Sequence, residues 1–394
     1  MNASFAETED FAAIREGVRA VCAGFPDSYW RAADAGHEFP WEFYDAMASG
    51  GWVGLAIPEE YGGGGLGISE AAILVEEIAA SGAAMNGCSA LHLSIFGLNP
   101  VVKYGSPEMR RRYLPDAAAG KLHVAFGVTE PDAGTDTTSI STRAVRTGDS
   151  YLVRGRKVWM SKAQHSDRVL LLVRTTPLAE VAKRTDGLSL LFTDLRAPGV
   201  TIRPIAKAGR NAVESCEVTF DDVRVPVTDL VGEEGRGFRY LLDGLNPERI
   251  LVAGEALGIG YAALRRAVRY ASERVVYGHP IGKNQAIAFP LAESHARLHA
   301  ASLVIREAAW RYDQGLPCGE HANMAKWLAA EAGFQAADQA MQTHGGFGYA
   351  VEYDVERYWR ESRLMRLAPI PQEMALNYLA EHALGLPKSY GTAR

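Results

Sequence analysis

The sequence predicts an α+β chain in three parts: an N-terminal α-helical domain over 1–122, a middle antiparallel β domain over 123–232, and a C-terminal four-helix bundle over 233–394. Three observations carry this. The first part shows apolar stripes framed by helix caps. The middle breaks into short β-rich runs with turn residues between them. The last returns to long amphipathic patterns of the kind that pack as a bundle. With 394 residues, 47% hydrophobic and 22% charged, the chain can bury large cores and divide into two or three domains.

In the first part, ISEAAILVEEIAASG sets an Ala/Leu/Ile stripe beside acids and stops at Gly82. SPEMRRRYLPDAAAG opens with Ser106 as N-cap, then Pro107 and Glu108. Between them PEEYGGGGLG is read as a connecting loop, because a dinucleotide cradle follows a strand and this segment lies between helices. The β part supplies YLVRGRKVWMS, RVLLLVRTT, GLSLLFTDL, GVTIRPI and SCEVTFDDVRVP. Beyond Gly232 the helical pattern runs through LLDGLNPERILVAGEALGIGYAALRRAVRYASERV, then 290–314, then CGEHANMAKWLAAEAGFQAADQAMQTHGG, and ends in AEHALGL.

Charge and cysteine usage narrow the function classes. The net charge is -6 and the pI near 6.0, and no Lys/Arg run forms a nucleic-acid stripe. Arg110, Arg111 and Arg112 read as a solvated helix face. Cys22, Cys88, Cys216 and Cys318 show neither CxxC spacing nor nearby His pairs, so neither a metal site nor a disulfide framework is expected, and a reducing compartment fits. The start MNASFAETEDFAAIREG has acids where a signal peptide has a basic end, and no apolar stretch reaches the ~18 residues of a membrane span. The expectation is a cytoplasmic protein that engages no membrane.

Three segments carry possible chemistry. AFGVTEPDAGTD follows an apolar strand with small residues and the Thr129 and Thr135 hydroxyls; it is either an ordinary turn or a loop that approaches a ring or a phosphate closely. KVWMSKA places Trp159 and Ser161 on one side of a strand, and Trp159 taken alone also suits a core. GLNPERI has two readings. Asn246 as N-cap and Pro247 in the first helical position make Glu248 a helix-starting acid that favours the dipole; alternatively, Glu248 is a base.

Five motifs in order resemble the acyl-CoA dehydrogenase family over nearly the whole chain: Ile57 to Gly63, Val128 to Asp136, Lys157 to Ser161, Arg274 to Gly278 with Gln285, and Gln342 to Tyr349. The resemblance implies the three-part fold above and an FAD cofactor lined by Phe126, Val128, Thr129, Gly134 and Thr135. Thr129 would lie near the isoalloxazine, Thr135 near the pyrophosphate or the substrate, with Trp159 and Ser161 flanking the flavin. Arg274, Gln285, Gln342, Gly345 and Gly346 would reach the FAD of a neighbouring subunit, which implies a homo-oligomer, tetramer or dimer. Asn246 and Arg249 would meet the substrate. The implied reaction oxidises an acyl-CoA to its 2,3-enoyl product in fatty acid or branched-chain acyl metabolism, with an electron-transferring flavoprotein as electron acceptor.

The sequence also departs from that pattern. Most members carry the catalytic Glu after the last motif, where RLAPIPQEM here has Ala368 and Pro369. A minority resembling isovaleryl-CoA and long-chain enzymes carry it in a segment matching Asn246 to Arg249, which makes Glu248 the expected base. A helix N-terminus would lower its basicity, and burial would have to raise it again. Glu255 lies on the same helix face about 10 Å farther along and reads as a pocket or structural acid. Pro369 has no N–H for the thioester oxygen; the donor is then Ile370 after a local shift, or a flavin ribityl hydroxyl, or the protein no longer dehydrogenates. The alternatives on the same fold are a flavin oxidase, a desulfinase-like lyase and a non-catalytic acyl-CoA-binding relative.

Overall fold

The computed structural model describes residues 9–389, so the first eight residues of the acidic N-terminal stretch lie outside the described residues. The described chain forms two compact units, each assembled from separate stretches. One gathers the described residues of Met1–Ala35 with Gly67–Cys88 and Asn246–Arg394; the other gathers Gly36–Leu66 and Ser89–Leu245.

The second unit is organised by one eight-stranded sheet, β1 (Val124–Gly127), β2 (Arg143–Thr147), β3 (Ser150–Ser161), β4 (Arg168–Arg174), β5 (Leu188–Asp194), β6 (Val200–Pro204), β7 (Ser215–Pro226) and β8 (Leu230–Val231). Its order is β6-β7-β3-β2-β4-β5-β8, with β1 beside β4. Most pairs are antiparallel, in line with the short turns between them. β1 and β2 meet β4 in parallel, because intervening strands give the chain enough length to return in the same direction. β4 reads as an unbroken apolar run because both its faces are covered. Leu170 and Leu172 join a core with Val101 and Leu114 of the preceding helices. Val169, Leu171 and Val173 join a core with Val153, Met160 and Phe220 of β3 and β7, so the sheet curls over its own second face.

Twelve α-helices are described: α1 (Glu9–Cys22), α2 (Asp27–Gly36), α3 (Trp41–Ser49), α4 (Ile68–Ile78), α5 (Ala84–Leu91), α6 (Asn99–Tyr104), α7 (Pro107–Ala118), α8 (Gly237–Glu273), α9 (Gln285–Asp313), α10 (Gly319–His344), α11 (Val355–Met365) and α12 (Gln372–Tyr378). Ser106 caps α7, its side chain accepting from Met109 N at 3.1 Å. In the helical unit α1 packs on α4, α4 on α9, and α10 on α9, α11 and α12. The start of α4 is capped by a distant side chain: Asp313 takes the Ile68 and Ser69 N–H groups at 2.8 and 2.9 Å. A Cβ on Gly67 would stand 2.8 Å from that carboxylate, so the bare position admits the cap. α8 lies close against its neighbours at small residues. A Cβ on Gly258 would strike the Glu76 carbonyl oxygen, and Gly260 faces Gly333 of α10.

One expectation is overturned here. α8 begins at Gly237 and Pro247 lies inside it, so Asn246 is not an N-cap and Glu248 does not start a helix. Burial outweighs the cost of an interior proline: Leu241 before it, and Ile250, Leu251 and Ala253 after it, all enter the core. α9 likewise begins at Gln285 and takes Pro290 into its interior.

Among the described residues no helix is long and apolar enough to cross a membrane. The four cysteines are buried, and none forms a disulfide among the described residues.

Candidate active site

In the sheet-bearing unit, β1 delivers the chain into the segment Val128–Asp136, and a buried ion pair fixes its course. Lys157 on β3, fully buried, donates from Nζ to Glu130 Oε1 and to the Val128 carbonyl, both at 2.9 Å. The same carboxylate accepts from Ser141 N at 2.7 Å and Thr142 N at 2.9 Å. Burial pushes the Glu130 carboxyl up, but Lys157 and these donors outweigh it and bring it down to about 2. Burial takes Lys157 down to about 8 against the pull of Glu130. The Val158 N–H closes onto the Thr129 carbonyl at 3.0 Å, so the segment lies along β3.

This scaffold leaves particular groups outward. Gly134 is left-handed at φ 52 with open space where a Cβ would be, and Thr135 beside it is exposed. Phe126 and Val128 pack partly into the helix-side core, and Thr129 is half-buried. On β3 a bulge falls between Lys157 and Met160. There Trp159 takes φ 63 and stays 57% exposed, while Met160 is in the core and Ser161 is half-buried. A bulky residue in left-handed conformation with its ring in solvent is strained. Neither feature serves packing, and an ordinary core tryptophan shows neither.

In the helical unit Arg274, Gln342, Gly345 and Gly346 come together on one cleft of ≈ 630 Å³. The Arg274 guanidinium lies 5.8 Å from the Phe347 ring centre. Gly345 turns the chain at φ 59 as the cap of α10. Gln285, exposed at the start of α9, is not part of that lining.

The decisive group is Glu248. Its position eleven residues inside α8, about three turns from the end, removes the helix-dipole objection to basicity. Its side chain is buried, 9% exposed. Burial pushes its carboxyl up to about 7; Arg249 pulls it down and Glu255 pushes it further up. Arg249 donates Nη1 to Asn246 Oδ1 at 3.0 Å, and its buried Nε meets no acceptor among the described residues. Glu255 is fully buried. The sequence therefore brings Asn246, Glu248 and Arg249 together on one turn of a helix interior.

The Glu130–Lys157 clamp escaped the reading of the sequence as a pair. So did Lys326 on α10, fully buried, which donates to the Ile370 carbonyl at 2.6 Å and to Gln372 Oε1 at 3.0 Å. Its only trace in the sequence is a single lysine among alanines in ANMAKWLAA.

Family profiles match in three consecutive blocks: the acyl-CoA dehydrogenase N-terminal domain over 8–121, the middle domain over 125–223 and the C-terminal domain over 235–384. Acyl-CoA dehydrogenase FadE12 of Mycobacterium tuberculosis is 40% identical over 98% of this chain and 99% of its own length. The caffeyl-CoA reductase-Etf complex subunit CarC of Acetobacterium woodii is 34% identical over 84% of this chain and 86% of its own. Among solved structures, the glutaryl-coenzyme A dehydrogenase glutaryl-CoA complex superposes with a TM-score of 0.91 at 29% identity, covering 98% of both chains.

Proposed function

The chain belongs to the acyl-CoA dehydrogenase family and is an acyl-CoA dehydrogenase, and on that premise we propose that Glu248 is the base that takes the proton beside the thioester carbonyl. One observation carries this reading: a buried carboxyl brought to about 7 by burial on an α8 turn it shares with Asn246 and Arg249. A general base is most effective with a pKa near the working pH. Asn246 holds Arg249, whose unpaired Nε is left to meet the substrate.

The family is FAD-dependent, and the residues present fit that group. Trp159 offers an exposed face held in strained geometry, Gly134 leaves room beside Thr135, and Arg274 supplies positive charge beside the bare backbone of Gly345 and Gly346. FAD, when bound, supplies the acceptor for the hydride that leaves the adjacent carbon. Phe126, Val128, Thr129, Gly134, Thr135, Trp159 and Ser161 hold and orient it, and the Glu130–Lys157 pair keeps their loop in shape. Arg274, Gln285, Gln342, Gly345 and Gly346 serve the FAD of a neighbouring subunit in a homo-oligomer, tetramer or dimer. The electron acceptor is an electron-transferring flavoprotein, a reading supported by the complex named for the A. woodii relative. The location is cytoplasmic and the pathway belongs to fatty acid or branched-chain acyl metabolism.

The test is Glu248→Gln. The variant is expected to purify yellow with FAD and to lose flavin bleaching by a panel of acyl-CoAs under anaerobic conditions, by at least about 10²-fold in rate. Undiminished bleaching removes Glu248 from this role.

A further inference from the structure

Glu255 takes no part in the reading above, and a carboxyl wholly inside a protein costs stability. It is fully buried on α8, seven residues after Glu248. Seven residues make two helical turns less about 20°, so the two acids share one face, about 10 Å apart along the axis. The rest of that face is apolar and buried: Leu251, Val252, Ile259 and Ala262. Neighbouring backbones close in beside it. A Cβ on Gly254 would stand 2.9 Å from the Ala72 carbonyl oxygen of α4, and one on Gly258 would strike the Glu76 carbonyl. From α10, Gly333 leaves room for the Ala256 carbonyl of α8.

The charges on the surrounding helices are engaged in their own pairs. Glu76 and Glu77 of α4 hold Arg15 and Arg19 of α1, and Lys326 of α10 is bound to the Ile370 carbonyl and to Gln372. Arg249, on the next position after the proposed base, gives Nη1 to Asn246. Between Glu248 and Glu255 there is only the apolar strip. Charges separated by dry protein are screened far less than charges in water, so a like charge at this distance is still felt. Burial is the largest influence on the Glu248 carboxyl; Arg249 pulls it down and Glu255 pushes it up. Burial also raises the Cys88 thiol of α5, and Glu255 adds to that.

We infer that Glu255 is a positioning residue that acts through Glu248: its charge, held on the same dry face of α8, makes the proposed base a stronger proton acceptor than burial alone would. The inference rests on the reading of Glu248 as the base of an acyl-CoA dehydrogenase. Glu255 neither gives nor takes a proton in the reaction. Glu248 receives the proton and the hydride goes to the flavin, as before.

The experiment uses FAD-loaded enzyme and two readouts. One is infrared difference spectroscopy against pH, following the protonated-carboxyl stretch that is missing in Glu248→Gln. The other is the pH profile of kcat/KM with an acyl-CoA that bleaches the parent. Glu255→Gln is expected to move the infrared midpoint and the acid limb of the profile down together by about one pH unit. Glu255→Asp keeps the charge and holds both midpoints near those of the parent. Glu255→Gly removes the charge with the least change in volume and takes the place of Glu255→Gln if that variant does not fold. A structural role alone would change melting temperature and KM and leave both midpoints where they are. An infrared midpoint unmoved in the charge-removing variant overturns the inference. If the infrared midpoint moves and the kcat/KM profile does not follow it, the tuning by Glu255 stands and the base assignment fails, so the two are read separately.

Discussion

A carboxyl that holds its proton near neutrality is poorly suited to stability and well suited to removing a proton. Glu248 shows both sides. Its folded value of about 7 lies above the ordinary 4.5, so the fold favours the protonated form. The stability this gives is fully present below the unfolded value and is lost as pH rises through about 7. With Glu248 as the proposed base, activity runs the other way, because only the carboxylate accepts a proton. The expected outcome is that kcat/KM falls tenfold per pH unit below about 7, while the apoprotein loses thermal stability as pH rises from about 4.5 to about 7 and levels off beyond it. Glu248→Gln should flatten the stability change, and a variant that melts in parallel with the parent across that range would show that another group sets it. Glu248 was legible in GLNPERI as an acid with two uses. Its true setting was not, because Asn-Pro-Glu is also what a helix start looks like and only tertiary burial carries the helix through Pro247.

At the level of elements, the loop after β1 depends on a strand it does not belong to. Lys157 and Glu130 are 27 positions apart and are both buried. Removing one partner leaves the other charge buried alone, at about 3–5 kcal/mol. Lys157→Met is therefore expected to lower stability to urea by that amount and to release FAD more readily, as read by the flavin retained after gel filtration. The Glu130 contribution is present above the unfolded value of 4.5 and disappears as pH falls from there to about 2, so the parent and Lys157→Met should converge in acid. Strands β3 to β7 and helices α4, α7 and α10 were readable from period and punctuation, since β-branched runs and capped apolar stripes are local signals. The bulge at Trp159, the cap from Asp313 onto α4 and the grip of Lys326 were not, because each depends on which distant segment arrives beside it.

For the whole molecule, the order of secondary structure was readable and the partition of contacts was not. A pattern of helices, strands and helices is written along the chain, yet α1 and α4 pack in the unit that contains α9 to α12. A chain ended after Leu245 would hold every segment of the sheet-bearing unit, but α1 and α4 would lack the helices that cover them. It is expected to sediment as aggregate, and substituting the buried Val18, Leu74 and Val75 with polar residues is expected to restore solubility to that fragment while destroying the full-length fold. During synthesis the ribosome releases α1 and α4 long before α9 and α10 exist. The early helices must wait, apolar side outward, until the last third of the message has been read, and a chaperone that shelters amphipathic helices during that interval would do more for the yield of this protein than any gain in its final stability.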